Sequence, residues 1–283
     1  MKEMRSINIK GKLLTFERPQ VMGIINITPD SFFSGSRTPE LAAAKERIRI
    51  MVEEGVDILD IGGYSSRPGA EDISPDEEYR RLATGLEAAR EVAPQLPVSI
   101  DTFRAGVARR CVEEWDADII NDISGGTLDP DMCDTVAALH CAYILMHMRG
   151  NPSTMQSLTD YNDVTADVIS DLSAKVHDLR LKGVNDIIID PGFGFAKTVD
   201  QNYQLLAEMK NFSIFGYPVL AGLSRKSMIF RTLGNTPADC LNGTSVLNTI
   251  ALLNGADILR VHDVRPAAEA VRLVGKLLEN TPA

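Results

Sequence analysis

Eight parallel β-strands, each followed by a helix and closed into a barrel, are the architecture this sequence predicts. Eight short apolar runs alternate with helical patterns from one end of the chain to the other. Each gap holds enough residues for the crossover that parallel strands require. No long linker, low-complexity tract or charge block divides the 283 residues, a length at which a (β/α)8 barrel is the common single-domain exception. Periodicity does not show closure, so an open doubly wound sheet stays as the rival arrangement.

Residues 1–20 are expected to be an extension, with "SINIKGKLLTF" (Ser6–Phe16) a hairpin covering the barrel bottom, and residues 21–283 the barrel. The strand runs are Val21–Asn26, Val56–Ile61, Pro97–Asp101, Ala117–Asp122, Cys141–His147, Asp186–Asp190, Pro218–Gly222 and Ala256–His262. Three consecutive isoleucines in "DIIID" read as a strand buried on both faces. Helix ends are also legible. Thr38 can cap a helix with Pro39 at its first position, Leu41, Ala44, Ile48 and Met51 recur at helical spacing, and Gly55 stops it. Ser74 and Glu77 have capping-box spacing, and Pro94 ends the pattern that follows.

Apolar residues at 44% and charged residues at 24% are ordinary for a soluble globular protein. A net charge of −10 argues against a nucleic-acid or anionic-membrane surface. Four cysteines without CxxC or zinc-like spacing point to reduced thiols in a cytosolic protein. The start "MKEMRSINIK" lacks a signal-peptide run, and no window of 18 apolar residues could span a bilayer. A soluble cytoplasmic protein is the expectation.

In such barrels the reactive groups sit at the C-terminal ends of the strands. Those ends carry Asn26, Gly62-Gly63, Asp101, Asn121-Asp122, His147, Asp190, Ser224-Arg225-Lys226 and Arg260 with His262. Any one of them is as readily an Asx turn or a helix cap, but a ring of polar ends is not needed for stability alone. Asp101, Asn121 and Asp190 offer fixed acceptors, and Asn121 donors too, suited to a flat heterocycle with several N–H groups. Arg67, Lys226, Arg260 and His262 are expected to form a cationic cluster for phosphate or carboxylate. A metal cage is not expected; a hard cation held mostly by ligand oxygens, with one contact such as Asn26, stays open. "GFGF" is followed by no G-x-G-x-x-G fingerprint, and no strand–turn–helix signal for a nucleophilic serine is present. Met146, Met148 and Phe195 are commonly packing residues, and beside an aromatic ligand they would form its walls.

Taken in order, "GIINITPDSF" (Gly23–Phe32), "DIGGYSSRPGA" (Asp60–Ala70), "SIDT" (Ser99–Thr102), "INDISGG" (Ile120–Gly126), "LMHMRG" (Leu145–Gly150), "DPGFGFAK" (Asp190–Lys197), "GLSRKS" (Gly222–Ser227) and "RVHDV" (Arg260–Val264) resemble the dihydropteroate synthase family. The resemblance runs from about Val21 to about Ala270 and implies a (β/α)8 barrel, usually dimeric. It implies joining 6-hydroxymethyl-7,8-dihydropterin diphosphate to p-aminobenzoate with release of diphosphate, in folate synthesis, with Mg2+ as cofactor. Carried onto this chain, it implies a pterin pocket of Asp101, Asn121, Asp190 and Lys226, with Met146, Gly222 and Arg260 at its walls. The diphosphate and Mg2+ side would use Asn26, Arg67 and His262, and the aminobenzoate side Phe32, Ser66, Pro68, Phe195 and Ser227. Among these, Lys226, Arg67, Arg260 and His262 are the expected catalytic groups. Tyr64 stands where the family often has Glu, and Ala196 where a glycine is common.

Two other functions fit the same pocket. A methyltransferase moving a methyl group from a reduced folate to a corrinoid protein would use Asp101, Asn121 and Asp190 but has no need of "SRKS" with "RVHD" to hold a diphosphate. A non-catalytic pterin-binding protein would bind the diphosphate ester without turnover.

Overall fold

The computed structural model describes residues 4–27, 37–65 and 72–281. Within them all eight expected runs form parallel strands; the first starts one residue early, at Gln20, and the others are shorter than or shifted from their apolar runs. After the hairpin strands β1 (Ser6–Ile9) and β2 (Lys12–Thr15) come β3 (Gln20–Asn26), β4 (Ile58–Gly62), β5 (Val98–Asp101), β6 (Ile119–Asp122), β7 (Ala142–Met146), β8 (Ile187–Asp190), β9 (Leu220–Ala221) and β10 (Ile258–Val261). Neighbours run β8-β7-β6-β5-β4-β3-β10-β9. A parallel bridge between Ile189 and Val219 joins the two ends, and the Ile189 N–H donates to the Pro218 carbonyl at 2.8 Å across that seam. Closure settles the barrel against the open sheet and removes the exposed edges.

Side-chain alternation sorts each strand into two cores. Outward residues such as Ile25, Leu59, Ile61, Ile100, Ile120, Leu145, Ile189 and Leu259 meet the surrounding helices. Those helices are α1 (Arg37–Glu54), α2 (Pro75–Val92), α3 (Ala105–Trp115), α4 (Met132–Leu139), α5 (Val164–Leu181), α6 (Val199–Ala207), α7 (Ser227–Leu233), α8 (Leu241–Leu253) and α9 (Val264–Glu279). Inward residues near the strand starts, Met22, Ile58, Ile119, Ile144, Ile188, Leu220 and Ile258, form a separate apolar floor. Ile7, Ile9 and Phe16 of the hairpin pack into that floor from below. The hairpin turns at Lys10 (φ 49) and Gly11 (φ 82), the double left-handed turn that matches strand twist.

Two residues beyond the floor, on the same face, stand Asp60, Asn121, Asp190 and Arg260. The barrel is therefore dry below and charged above, with the change one strand period wide.

Two helix starts differ from expectation. Helix α1 begins at Arg37, so Thr38 lies within the first turn and not ahead of it. At α2 only half of the capping box forms: Ser74 accepts from the Glu77 N–H at 3.2 Å. The Glu77 carboxylate is drawn to Arg80 and Arg81 instead, at 2.8 and 2.7 Å, and hydrogen bonding to Arg80 first holds it down at about 2. A complete box forms at α6, where Thr198 and Gln201 exchange both bonds, a T-x-x-Q spacing readable in the sequence.

Strand β8 runs into Pro191-Gly192, and Gly192 adopts φ +72 with no room for a side chain. A Cβ there would lie 2.0 Å from the His147 carbonyl oxygen, a backbone atom that cannot swing aside. Gly192→Ala should cost about 3 kcal/mol or more of stability, combining left-handed strain with the clash. Urea denaturation with an unchanged m-value reads this directly; a loss under about 1 kcal/mol would mean the turn relaxes freely.

Candidate active site

At the top of the barrel one arginine serves two carboxylates. Arg260 on β10 contacts Asp60 Oδ2 through Nε at 2.7 Å and Nη2 at 2.6 Å, and Asp101 Oδ2 through Nη2 at 2.5 Å. Burial works against the Arg260 charge, yet Asp60 and Asp101 outweigh it and raise its pKa. Asn121 on β6 donates from Nδ2 toward both Asp60 oxygens at 3.3 Å. Asp101 is pushed up to about 7, first by desolvation, with Arg260 opposing and Asp60 adding repulsion. Asp60 is fully buried in the middle of β4. Sequence reasoning gives it no role, although an acid inside the run "ILDIG" is a visible signal.

Across the cleft, Asp190 Oδ1 accepts the Gly192 N–H at 2.8 Å. This is the turn-closing bond that an aspartate before Pro-Gly commonly makes, and it occupies one oxygen. No bond to Oδ2 is present among the described residues. Burial raises the Asp190 pKa against the opposing pull of Lys226, the Gly192 N–H, Arg260 and Lys197. Lys226 does not pair directly with Asp190: its Nζ donates to the Phe193 carbonyl and lies 4.9 Å from the Phe195 ring centroid. Burial lowers Lys226 to about 8, with Asp190 restraining the fall. Gly222 lies beneath this amine, its Cβ position 3.6 Å from Nζ.

Behind Asp190 lies a pair made of His147, one of the polar strand ends read from the sequence, and Lys197, to which sequence reasoning gives no role. Lys197 Nζ reaches His147 Nδ1 at 3.0 Å and donates to the carbonyls of Gly192 at 2.9 Å and Phe195 at 3.1 Å. It is thereby a three-point pin for the turn after β8. Desolvation brings Lys197 down to about 7. His147 is held at about 2 by burial and then by the Lys197 charge, so its ring is neutral. Ala196 adopts φ 49 in the same turn, the left-handed conformation that a glycine would take without strain. Its methyl packs with Ile123, Met146, Met148 and Met155, against Phe195 and Phe103, in an apolar wall at the barrel mouth.

At the opposite rim, the Cβ position of Gly62 lies 3.3 Å from Asn26 Oδ1 and 3.6 Å from Asp101 Cβ. A side chain at Gly62 would press on the Asn26 amide oxygen and touch Asp101. Ser224 links the loops after β9 and β10, accepting the His262 N–H at 3.2 Å and meeting His262 Nδ1 at 3.0 Å. The next residues repeat the link, since Arg225 Nε and Nη2 hold Asp263 at 3.0 and 2.9 Å. Ser227 opens α7 directly after Lys226. The expected cation cluster is thus distributed: Arg260 is neutralised by two acids inside the barrel, Lys226 lies on the Asp190 side, and His262 is at the rim. Phe32, Ser66, Arg67 and Pro68 lie outside the described residues. Tyr64 stacks edge-on with Phe103 at 5.2 Å, with the Arg104 guanidinium 5.4 Å from its ring.

A barrel carrying acceptors for a flat donor-rich ring, beside a rim suited to an anion, defines a class. The chain belongs to the pterin-binding enzyme family, whose model matches residues 22–262. Among curated relatives, dihydropteroate synthase of Synechocystis is 44% identical, covering 92% of this chain and 91% of its own length. The crystal structure of Yersinia pestis dihydropteroate synthase in a sulfonamide drug complex superposes with a TM-score of 0.90 at 36% identity, covering 97% of this chain and 99% of that one. The Xanthomonas albilineans enzyme in complex with 7,8-dihydropteroate gives 0.85 at 36% identity, covering 98% and 100%.

The raised Asp101 pKa has a consequence for stability. Between about pH 4, the ordinary aspartate range, and about 7, folded Asp101 keeps a proton that the unfolded chain has released. Stability from this group is full below that window and is lost as pH rises through it. Asp190 and Glu78, also raised by burial, act in the same direction. Melting curves from pH 4 to 8 should therefore show a shallower decline in Asp101→Asn than in the unmodified protein; parallel curves would place Asp101 in water.

Proposed function

We infer that this chain condenses 6-hydroxymethyl-7,8-dihydropterin diphosphate with p-aminobenzoate, giving 7,8-dihydropteroate and diphosphate for folate synthesis. The observation that carries the reading is the ring of Asp101, Asn121, Asp190, Lys226 and Arg260 above an apolar floor, in a chain 44% identical to a synthase. The second oxygen of Asp190 accepts ring N–H groups, and Lys226 donates to ring acceptors on the same side. Met146, Gly222 and Arg260 bound the ring. Phe195 and Ser227, with Phe32, Ser66 and Pro68, receive the aminobenzoate.

When the methylene carbon–oxygen bond breaks, its electron pair leaves with the diphosphate. Arg67, His262 and Arg260 are the groups we assign to that growing charge. The neutral amine of p-aminobenzoate then bonds to the methylene carbon and gives up a proton. It is a nucleophile without activation, so no serine or cysteine is required; Cys111 and Cys141 are buried, with thiols pushed up to about 12.

Magnesium fits the residues at the rim. Asn26 places an amide oxygen there, and no cluster of three or more His, Cys, Asp or Glu that could hold a metal occurs among the described residues. Such a sparse set suits an ion that takes most of its oxygens from substrate phosphates. Bound at Asn26, the metal would neutralise charge on the departing diphosphate.

We also assign a homodimer to the α8–α9 face, where Val246, Ile250, Leu253, Leu273 and Leu277 are exposed. No helix among the described residues is long and apolar enough to cross a membrane. Four free cysteines support a reducing, cytoplasmic setting.

Mixing both substrates with Mg2+ should release diphosphate only when p-aminobenzoate is present. Binding of the pterin ester without release would instead leave a non-catalytic binding protein. Excess chelator should stop turnover, and Asn26→Ala should raise the Mg2+ concentration needed while pterin affinity stays nearly intact. Asp190→Asn exchanges an acceptor oxygen for a donor facing another donor. It should weaken pterin binding by about 10²-fold or more, since bonds to a charged group contribute about 1.5–3 kcal/mol. Near-normal affinity by calorimetry would reduce Asp190 to its turn-closing role.

A further inference from the structure

We propose that Asp60 is a positioning residue for the pterin pocket, fixing which way the Asn121 amide faces and how the Arg260 guanidinium is aimed. The proposal rests on the pterin reading of the site. Asp60 is fully buried beneath the cleft, so its influence on a ligand passes through the two side chains it holds.

Asn121 is the first of them. An ionised carboxylate only accepts hydrogen bonds, and Asn121 Nδ2 lies 3.3 Å from each Asp60 oxygen. A flipped amide would set its oxygen against those oxygens. One N–H therefore points down at Asp60, and the amide oxygen and the second N–H are left side by side for the cleft. That fixed pair matches a ring edge with an exocyclic amino group beside a bare ring nitrogen, the amidine edge of a pterin. Without Asp60 nothing among the described residues would choose between the two amide orientations.

Arg260 is held by the same carboxylate. Its Nε and Nη2 meet Asp60 Oδ2, and Nη2 also meets Asp101 Oδ2. Three contacts fix the guanidinium plane, and Nη1 has no bond among the described residues. Asp101 alone would hold this side chain through one nitrogen and allow it to pivot.

The test is Asp60→Asn in the full chain, with 6-hydroxymethylpterin as the probe in calorimetry. The new amide can donate to the Asn121 oxygen, which permits the flipped orientation and takes a negative partner from Arg260. Pterin affinity should fall by about tenfold or more, with KM for p-aminobenzoate within about twofold. Combined with Asn121→Ala, the loss should be well short of the product of the single losses, because the two side chains act together.

A pH profile separates positioning from simple scaffolding. Asp101 faces Arg260 from β10, Asp60 from β4, Glu78 from α2 and Asp122 from β6, with Lys226 ahead of α7 also acting on it. Removing the Asp60 charge relieves repulsion on Asp101 and leaves it the undivided Arg260. Asp190, also raised by burial, contributes to the acid limb of pterin binding, so the limb should move to lower pH by its Asp101 part, which a merely looser fold would not cause. Unchanged affinity in a folded variant, fully multiplicative losses, or an unmoved acid limb would each overturn the proposal.

If Asp60→Asn does not fold, a pterin complex of the unmodified protein decides the matter. The Asn121 oxygen on the ligand amino group supports the proposal, and the reversed amide overturns it. An unmodified protein that fails to bind the pterin sinks the pterin reading and this proposal together, whereas normal binding with an indifferent Asp60→Asn sinks only the proposal.

Discussion

Arg260 between Asp60 and Asp101 is the contact on which the upper barrel depends, because three ionisable groups share one desolvated space. An unpaired buried charge is far costlier than a paired one. Desolvation pushes Asp101 up to about 7, and Asp60, which shares the same cation, adds repulsion that Arg260 does not fully offset. The same shortage leaves an acceptor site at the cleft with part of its desolvation already incurred. A ligand donating N–H groups there meets groups set in place before it arrives, which is how preorganised polar sites gain affinity.

Support for these groups comes from several independent links, each short-range. Ser224 with His262 and Arg225 with Asp263 bind the loops after β9 and β10 to one another. This matters because β9 is only two residues long and offers little ladder of its own. Lys197 performs the corresponding task after β8, using three acceptors to hold a turn that contains a left-handed alanine. Below, the floor of Met22, Ile58, Ile119, Ile188 and Ile258, plugged by Ile7 and Phe16, keeps water from reaching the charged layer through the bottom.

Much of this architecture is legible in the amino-acid order. Runs such as "DIIID" and "ADIIND" contain more apolar residues than a half-exposed strand needs, which signals burial on both faces. The polar residue closing most of these runs marks the reactive end of the barrel. Less legible is Lys197, since nothing local distinguishes a buried lysine from a solvated one, whereas Asp60 is marked as buried by its apolar run but not by any sign of its partners. Glu77 shows the reverse failure: its spacing to Ser74 suggests a capping box, but Arg80 and Arg81 one turn away attract the carboxylate more strongly.

The alternation of strands with helices, two-faced burial and the ring of polar strand ends follow from the order of residues alone, because side-chain alternation and apolar runs are properties of adjacent positions. Even the hairpin turn at Lys10-Gly11 is local in origin. The pairing of charges is set by the closed barrel. Arg260 meets Asp60 across 200 positions of chain and Asp101 across 159, and no local pattern states that one cation will be divided between those two acids. Pairing of the last barrel strand, β10, with the first, β3, brings them together, and loss of water in the closed barrel then makes their pairing obligatory.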